Sequence, residues 1–157
     1  MWPSSSEENA TMNPVNDAPA DALGVLVGGT IDFPTGLLGF ANCRRFTFNR
    51  FDAGDGQVSP FYVLNCLDQE LSFLVIQPEL VVADYRVSCF PELLKSFGAD
   101  SAAEVLAMVI VTVRERLEDI TVNLQGPLVV ATRSQVGIQL ILEEFPLRHP
   151  LLASPNR

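Results

Sequence analysis

The chain has 157 residues, 48% of them hydrophobic and 18% charged, with a formal net charge of −9; this is the size of one domain with ample material for a core. A nucleic-acid surface needs clustered Lys and Arg to displace counterions, so ten bases against 19 acids argue against direct DNA or RNA binding. No apolar run reaches the roughly 18 residues of a membrane-spanning helix, and no membrane partner is expected.

The charge is unevenly placed. Residues 1–22 carry Glu7, Glu8, Asp17 and Asp21 without a Lys or Arg, a balance of −4, and the other 15 acids and 10 bases leave −5. The same 22 residues are rich in Ser, Asn, Pro and Ala, with Trp2 as their one bulky side chain. Such a segment cannot bury enough surface to offset its ordering entropy, so residues 1–22 are predicted to be a disordered acidic tail. The N-terminus has no basic region followed by an apolar stretch and does not read as a secretory signal. The expectation is a cytoplasmic protein. Its charged fraction lies below the roughly 25% usual for soluble domains, which predicts apolar surface left for a partner to cover.

From Leu23 to Leu152 short apolar runs alternate with turn signals, the texture of a many-stranded β domain. Residues 24–33 are predicted as a first strand, irregular at Gly28-Gly29. Pro34, Gly36 and Gly39 then punctuate a compact turn. A strand is expected over Arg45–Phe51, followed by a polar loop, Ala53–Ser59, with an Asp-Gly turn pair. Phe61–Leu67 and Leu71–Gln77 flank a tight link, Asp68-Gln69-Glu70, and read as an antiparallel hairpin that Pro78 ends. Asp84–Cys89 is a shorter extended piece. Pro91–Phe97 reads as a helix, with proline at its start and Gly98 as its stop.

The stretch after it carries conflicting signals. Ser101-Ala-Ala-Glu104 has the form of a capping box, yet Val105–Val113 holds four valines and an isoleucine, which favour strand. A single helical turn at 101–104 and a long buried strand through Arg114 reconcile them. Thr121–Leu124, Leu128–Thr132 and Val136–Glu143 complete the strands, with Pro127 marking an edge, bulge or bend. The last ten residues, including the segment 153–157, are predicted to be an extended tail. The fold class is therefore all-β: a small antiparallel β-barrel-like domain over residues 23–152 with one short capping helix.

Catalytic signals are weak. His149 is the only imidazole, and a Ser- or Cys-based triad needs a base placed beside its nucleophile. Glu118-Asp119 and Glu143-Glu144 are adjacent acids, which point to opposite faces of a strand. Gly28-Gly29-Thr30 is too short to cradle a phosphate. Cys43, Cys66 and Cys89 form no CxxC pair; they supply no metal site and are most simply buried small hydrophobes. No enzyme, metal or cofactor is expected.

Two stretches invite a binding role. In Ile31–Phe40, Gly36 and Gly39 permit positive φ, and Leu37, Leu38 and Phe40 project from the turn, either to close one end of the barrel or to meet a partner. In Thr121–Pro127, the side chains of Thr121, Asn123 and Gln125 share one face of a strand, and hydrogen-bond either internally or to another protein.

Gly39-Phe40, the hairpin Asp68–Pro78, the stretch Asn123-Leu-Gln-Gly-Pro127 and the terminal Arg148-His-Pro-Leu151 together resemble the flagellar assembly factor FliW family. The likeness runs from about Gly28 to Leu152. Gly126 stands where the family pattern has Ala, and Phe145 stands near where Tyr is usual. The resemblance implies a β-barrel-like fold capped by a short helix. It also implies two protein partners, the small basic RNA-binding regulator CsrA and flagellin, bound in exchange so that flagellin synthesis follows filament assembly. Leu37, Leu38, Phe40, Thr121, Asn123, Gln125 and Arg148 are the partner-binding candidates.

Overall fold

The protein is described by a computed structural model covering residues 13–15, 22–89, 91–96, 98–99 and 101–152. In chain order its strands are β1 (Asn13–Val15), β2 (Thr30–Asp32), β3 (Arg45–Arg50), β4 (Phe61–Cys66), β5 (Ser72–Ile76) and β6 (Val87–Cys89). After the helix α1 (Pro91–Ser96) come β7 (Val105–Thr112), β8 (Thr121–Val122), β9 (Leu128–Ala131), β10 (Gly137–Gln139) and β11 (His149–Pro150). The expected all-β class with one short helix holds.

The main sheet runs β10-β9-β7-β5-β4-β3-β2 through antiparallel pairs, with β8 also on β7 and β11 on β8. β7 is its axis. One edge of β7 pairs with β5, and the other pairs first with β9 and then with β8. Residues 123–127 bulge out between these two short partners, as Pro127 anticipated. The curl brings the ends of the sheet together at one point, the parallel bridge Asp32–Val136, where Asp32 N–H donates to the Gln135 carbonyl at 2.9 Å. The barrel is thus approached without a continuous closing ladder.

Alternation along β7 explains its valine-rich composition. Val105, Ala107, Val109 and Val111 enter one apolar cluster with Val129 and Ala131 of β9. Leu106 and Met108 enter the other, with Leu128 and Val130. A strand buried on both faces reads as a continuous apolar run, and its branched side chains suit the pleat. The second cluster fills the inside of the curl with Phe33, Phe46, Phe48 and Leu64, all fully buried. The helical turn before β7 is present at Ala102–Glu104.

Several boundaries differ from the sequence expectation. Residues 24–33 do not form one strand: Ala22–Leu26 is a 3-10 turn, and only Thr30–Asp32 joins the sheet. The reason lies in spacing, since Leu23 and Leu26 are buried three apart while Val25 and Val27 face solvent. The irregularity at Gly28-Gly29 is real: Gly28 N–H donates to the Phe48 carbonyl, and Phe48 N–H donates to the Gly29 carbonyl, so both glycines oppose Phe48 as a bulge.

The expected strand 136–143 is regular only over Gly137–Gln139. Beyond it the chain faces Pro127, which can accept from Leu140 N–H but has no N–H to return. Asp84–Cys89 shortens to Val87–Cys89. In the expected C-terminal tail, His149–Pro150 pairs with β8 as β11. Residues 153–157 lie outside the described residues, as do 1–12 and 16–21 of the predicted N-terminal tail. Within that tail, Asn13–Val15 pairs with β6.

Candidate functional site: a braced loop pair and an apolar groove

The turn from Phe33 to Cys43 is built on its glycines. Gly36 and Gly39 have φ of +72° and +82°, and Gly36 N–H donates to the Phe33 carbonyl at 2.8 Å. A Cβ on Gly36 would lie 2.5 Å from the Ala41 carbonyl oxygen. Gly36→Ala is therefore expected to cost at least about 1–2 kcal/mol from the left-handed backbone alone. A lowered thermal midpoint would record it.

The turn divides its apolar residues. Leu37 is buried in the inner core, so its side chain closes the barrel. Leu38 and Phe40 are 55% and 42% exposed, with the Phe40 ring edge-on to Phe73 at 5.3 Å. Of the three, Leu37 thus closes the barrel, while Leu38 and Phe40 are left on the surface.

Gln139 joins this turn to the Asn123–Pro127 loop. Its Oε1 accepts from Leu38 N–H at 2.7 Å, and its Nε2 donates to the Gly126 carbonyl at 2.9 Å. Asn123 Oδ1 accepts from Gly126 N–H at 2.9 Å, and Gln125 Nε2 donates to the Phe145 carbonyl at 3.4 Å. Thr121, Asn123 and Gln125 are half-buried and alternate with buried Val122 and Leu124, although the strand expected over Thr121–Leu124 is regular only over Thr121–Val122 and the rest is looped. Asn123 and Gln125 thus have internal partners, and Asn123 and Gln139 satisfy the looped backbone at Gly126. Arg148 is exposed beside β11, tied through β8 to the same segment.

From below, the buried Tyr85 hydroxyl donates to the Leu124 carbonyl at 2.6 Å, and its ring packs 4.5 Å from Phe145. Burial, and next the Glu144 charge, push the Tyr85 pKa far up, so the hydroxyl remains a donor across the working pH range. Tyr85→Phe leaves the Leu124 carbonyl without this donor and is expected to cost about 1–3 kcal/mol. Urea denaturation would measure it.

Two cavities stand out. One, of about 640 Å³, is lined by the charged and polar residues Asp32, Asn42, Arg44, Arg45 and Asp68 together with Phe33 and Pro34. Asp68 fastens its wall: one carboxylate oxygen accepts from the N–H groups of both Arg44 and Arg45 at 3.1 Å. Those bonds hold the Asp68 pKa below the usual carboxylate range. Their stabilising contribution is present above that range and is lost as pH falls through the lowered value.

The other is an apolar groove of about 870 Å³ on the outer face of β4 and β5. Phe61, Val63 and Leu74 lie along it, and Phe51, Val113, Leu117 and Leu152 rim it. The rim is exposed, Val113 by 62% and Leu117 by 67%. Arg116 beside it pairs with Glu118 at 2.9 Å and with Asp119 at 3.4 Å. Sequence reasoning anticipated uncovered apolar surface but not this groove. Its signal was the absence of polar alternation in Phe61–Leu64, where residues of both faces are apolar.

Neither cavity is lined by His149, whose Nδ1 lies 2.8 Å from the Pro150 carbonyl oxygen. Among the described residues no group of three His, Cys, Asp or Glu side chains is arranged to hold a metal ion, and no helix is long and apolar enough to cross a membrane.

Comparison with known proteins decides the family: the model described as "FliW protein" matches residues 20–151. The chain belongs to the FliW family. It is 33% identical over 129 residues to the flagellar assembly factor FliW of Treponema denticola, covering 80% of this chain and 84% of that protein. It is 31% identical over 125 residues to that of Natranaerobius thermophilus, covering 77% and 80%. A crystal structure of the flagellar assembly factor FliW superposes with a TM-score of 0.69 at 25% identity, covering 80% of this chain and 87% of that one.

Within this FliW-family fold, the glycine at position 126 has a local meaning. A Cβ there would lie 2.8 Å from Gln139 Nε2 and 3.0 Å from Asn123 Nδ2, the two amides that brace the loop. The neighbouring departure, Phe145, still packs on Tyr85 through its ring.

Proposed function

We propose that this flagellar assembly factor is a cytoplasmic adaptor that binds flagellin and CsrA in exchange, antagonising CsrA when flagellin is scarce. The observation that carries the reading is the apolar groove between β4, β5 and the Val113–Leu117 rim. Its lining is almost wholly apolar and its rim is exposed, the character of a surface that a protein partner covers. An amphipathic terminal segment of flagellin, presenting apolar residues at helical spacing, would cover it. Co-purification with flagellin, lost when flagellin's terminal segments are deleted, is the expected result; no complex with intact flagellin would overturn this half of the reading.

The CsrA half rests on family membership and on charge. A chain of net charge −9, −5 of it outside residues 1–22, is drawn to a basic partner by steering, and once docked it repels RNA phosphate without having to cover the RNA site. Such inhibition is reciprocal: RNA-bound CsrA binds this protein more weakly by the same factor. Titration into a CsrA–leader RNA complex should release RNA as a protein–protein complex forms, most readily at low salt. RNA that stays bound throughout, with no binary complex, would remove CsrA from the proposal.

A further inference from the structure

Cys43 is buried in the inner apolar cluster and Cys66 packs against the same cluster, near enough for the two thiols to interact. They arrive there from different elements. Cys43 closes the Gly36–Phe40 turn, its N–H donating to the Phe40 carbonyl at 3.0 Å. Cys66 ends β4, opposite Phe46 of β3. The two stretches are clamped beside the thiols by Asp68, whose carboxylate takes the Arg44 and Arg45 N–H groups while its own N–H donates to Cys66 Sγ at 3.4 Å. Their proximity is therefore held by backbone bonds on both sides.

We propose that Cys43 and Cys66 are an oxidative modification site, closing to an intramolecular disulfide in the folded protein when a low-molecular-weight disulfide such as oxidised glutathione is present. Access decides the order of events. Cys43 is fully buried, whereas Cys66 is only half-buried and meets the oxidant first. Burial, and next the nearby Cys66 thiol, raise the Cys43 pKa and keep it a thiol until its neighbour is activated.

The Cys66 thiolate attacks one sulfur of oxidised glutathione, forming a mixed disulfide and expelling one glutathione thiolate. Cys43 then attacks Cys66 Sγ as its proton passes to the departing glutathione sulfur, which leaves as the second glutathione thiol. Two protein thiols are oxidised, and one glutathione disulfide is reduced to two glutathione thiols. Bond formation brings the sulfurs to about 2.05 Å, drawing the base of the turn that carries Leu38 and Phe40 toward β4. Nothing in this chemistry depends on the identity of the protein's partners.

The test uses the reduced, full-length wild-type chain, incubated with oxidised glutathione and then alkylated and mapped by peptide mass. Alkylatable thiols should fall from three to one, and a peptide linking Cys43 to Cys66 should appear, two hydrogens lighter than its parts. A reductant should reverse it. Amide exchange over residues 36–43 should slow in the oxidised form. The link should persist in Cys89→Ser and be absent in Cys66→Ser. A stable glutathione adduct on Cys66, a link through Cys89, or a link formed only after denaturation would each overturn the proposal.

Discussion

Replacing Val113 and Leu117 together by Asp is expected to weaken flagellin binding by roughly tenfold to a hundredfold while leaving the fold intact. Both side chains rim the apolar groove and are more than half exposed, so they contribute little to the monomer's core. Surface changes of this kind usually alter stability by less than about 0.5 kcal/mol each. In a complex the same positions would be desolvated against apolar partner groups. A carboxylate placed there opposes binding by the cost of stripping its water, and about 1.4 kcal/mol corresponds to each tenfold loss. Calorimetric titration of flagellin against wild type and variant, with thermal melts as the folding control, would measure the difference. Equal affinities with equal melts would move the flagellin site off this groove. CsrA binding by the same variant shows whether the two partners share the surface.

Phe46→Ala should have the largest effect on stability, about 3–5 kcal/mol. Phe46 is fully buried on β3 at the centre of the inner cluster. Its ring stands edge-on to Phe33 at 5.6 Å and is tilted against Phe73 at 6.1 Å. Phe73 in turn supports Phe40, so the cavity left by Ala would also loosen the exposed turn. Against a typical total of about 5–15 kcal/mol, the loss brings the domain near its unfolding threshold. Urea titration should show a much lower midpoint with an unchanged slope, since the surface exposed on unfolding changes little. A midpoint within experimental error of wild type would mean that the inner cluster repacks around the void.

The candidate site was legible in pieces. The left-handed glycines at 36 and 39, the break at Pro127 and the alternation of Thr121, Asn123 and Gln125 all follow from local backbone rules, and each appears in the structure. Gln139 drew no notice in the sequence because nothing marks an isolated glutamine. Its importance comes from lying 101 residues from Leu38 and 13 from Gly126 along the chain, yet within hydrogen-bond reach of both. The Cys43–Cys66 contact was hidden for the same reason. Even spacing of the cysteines along the chain carried no information about which two the β3–β4 register would bring together.

Residue order and composition alone determined that this chain is a strand-built acidic domain, because side-chain period, β-branching and turn chemistry act over a few neighbours. Its family, too, was legible there, through short motifs that local geometry requires. Tertiary structure decided which apolar residues become core and which become surface. Leu37 and Leu38 are adjacent and chemically identical, yet one is sealed inside the curl and the other faces solvent. The curl of the sheet, set by how β7 shares its two edges among three partners, makes that division and leaves the outer groove open.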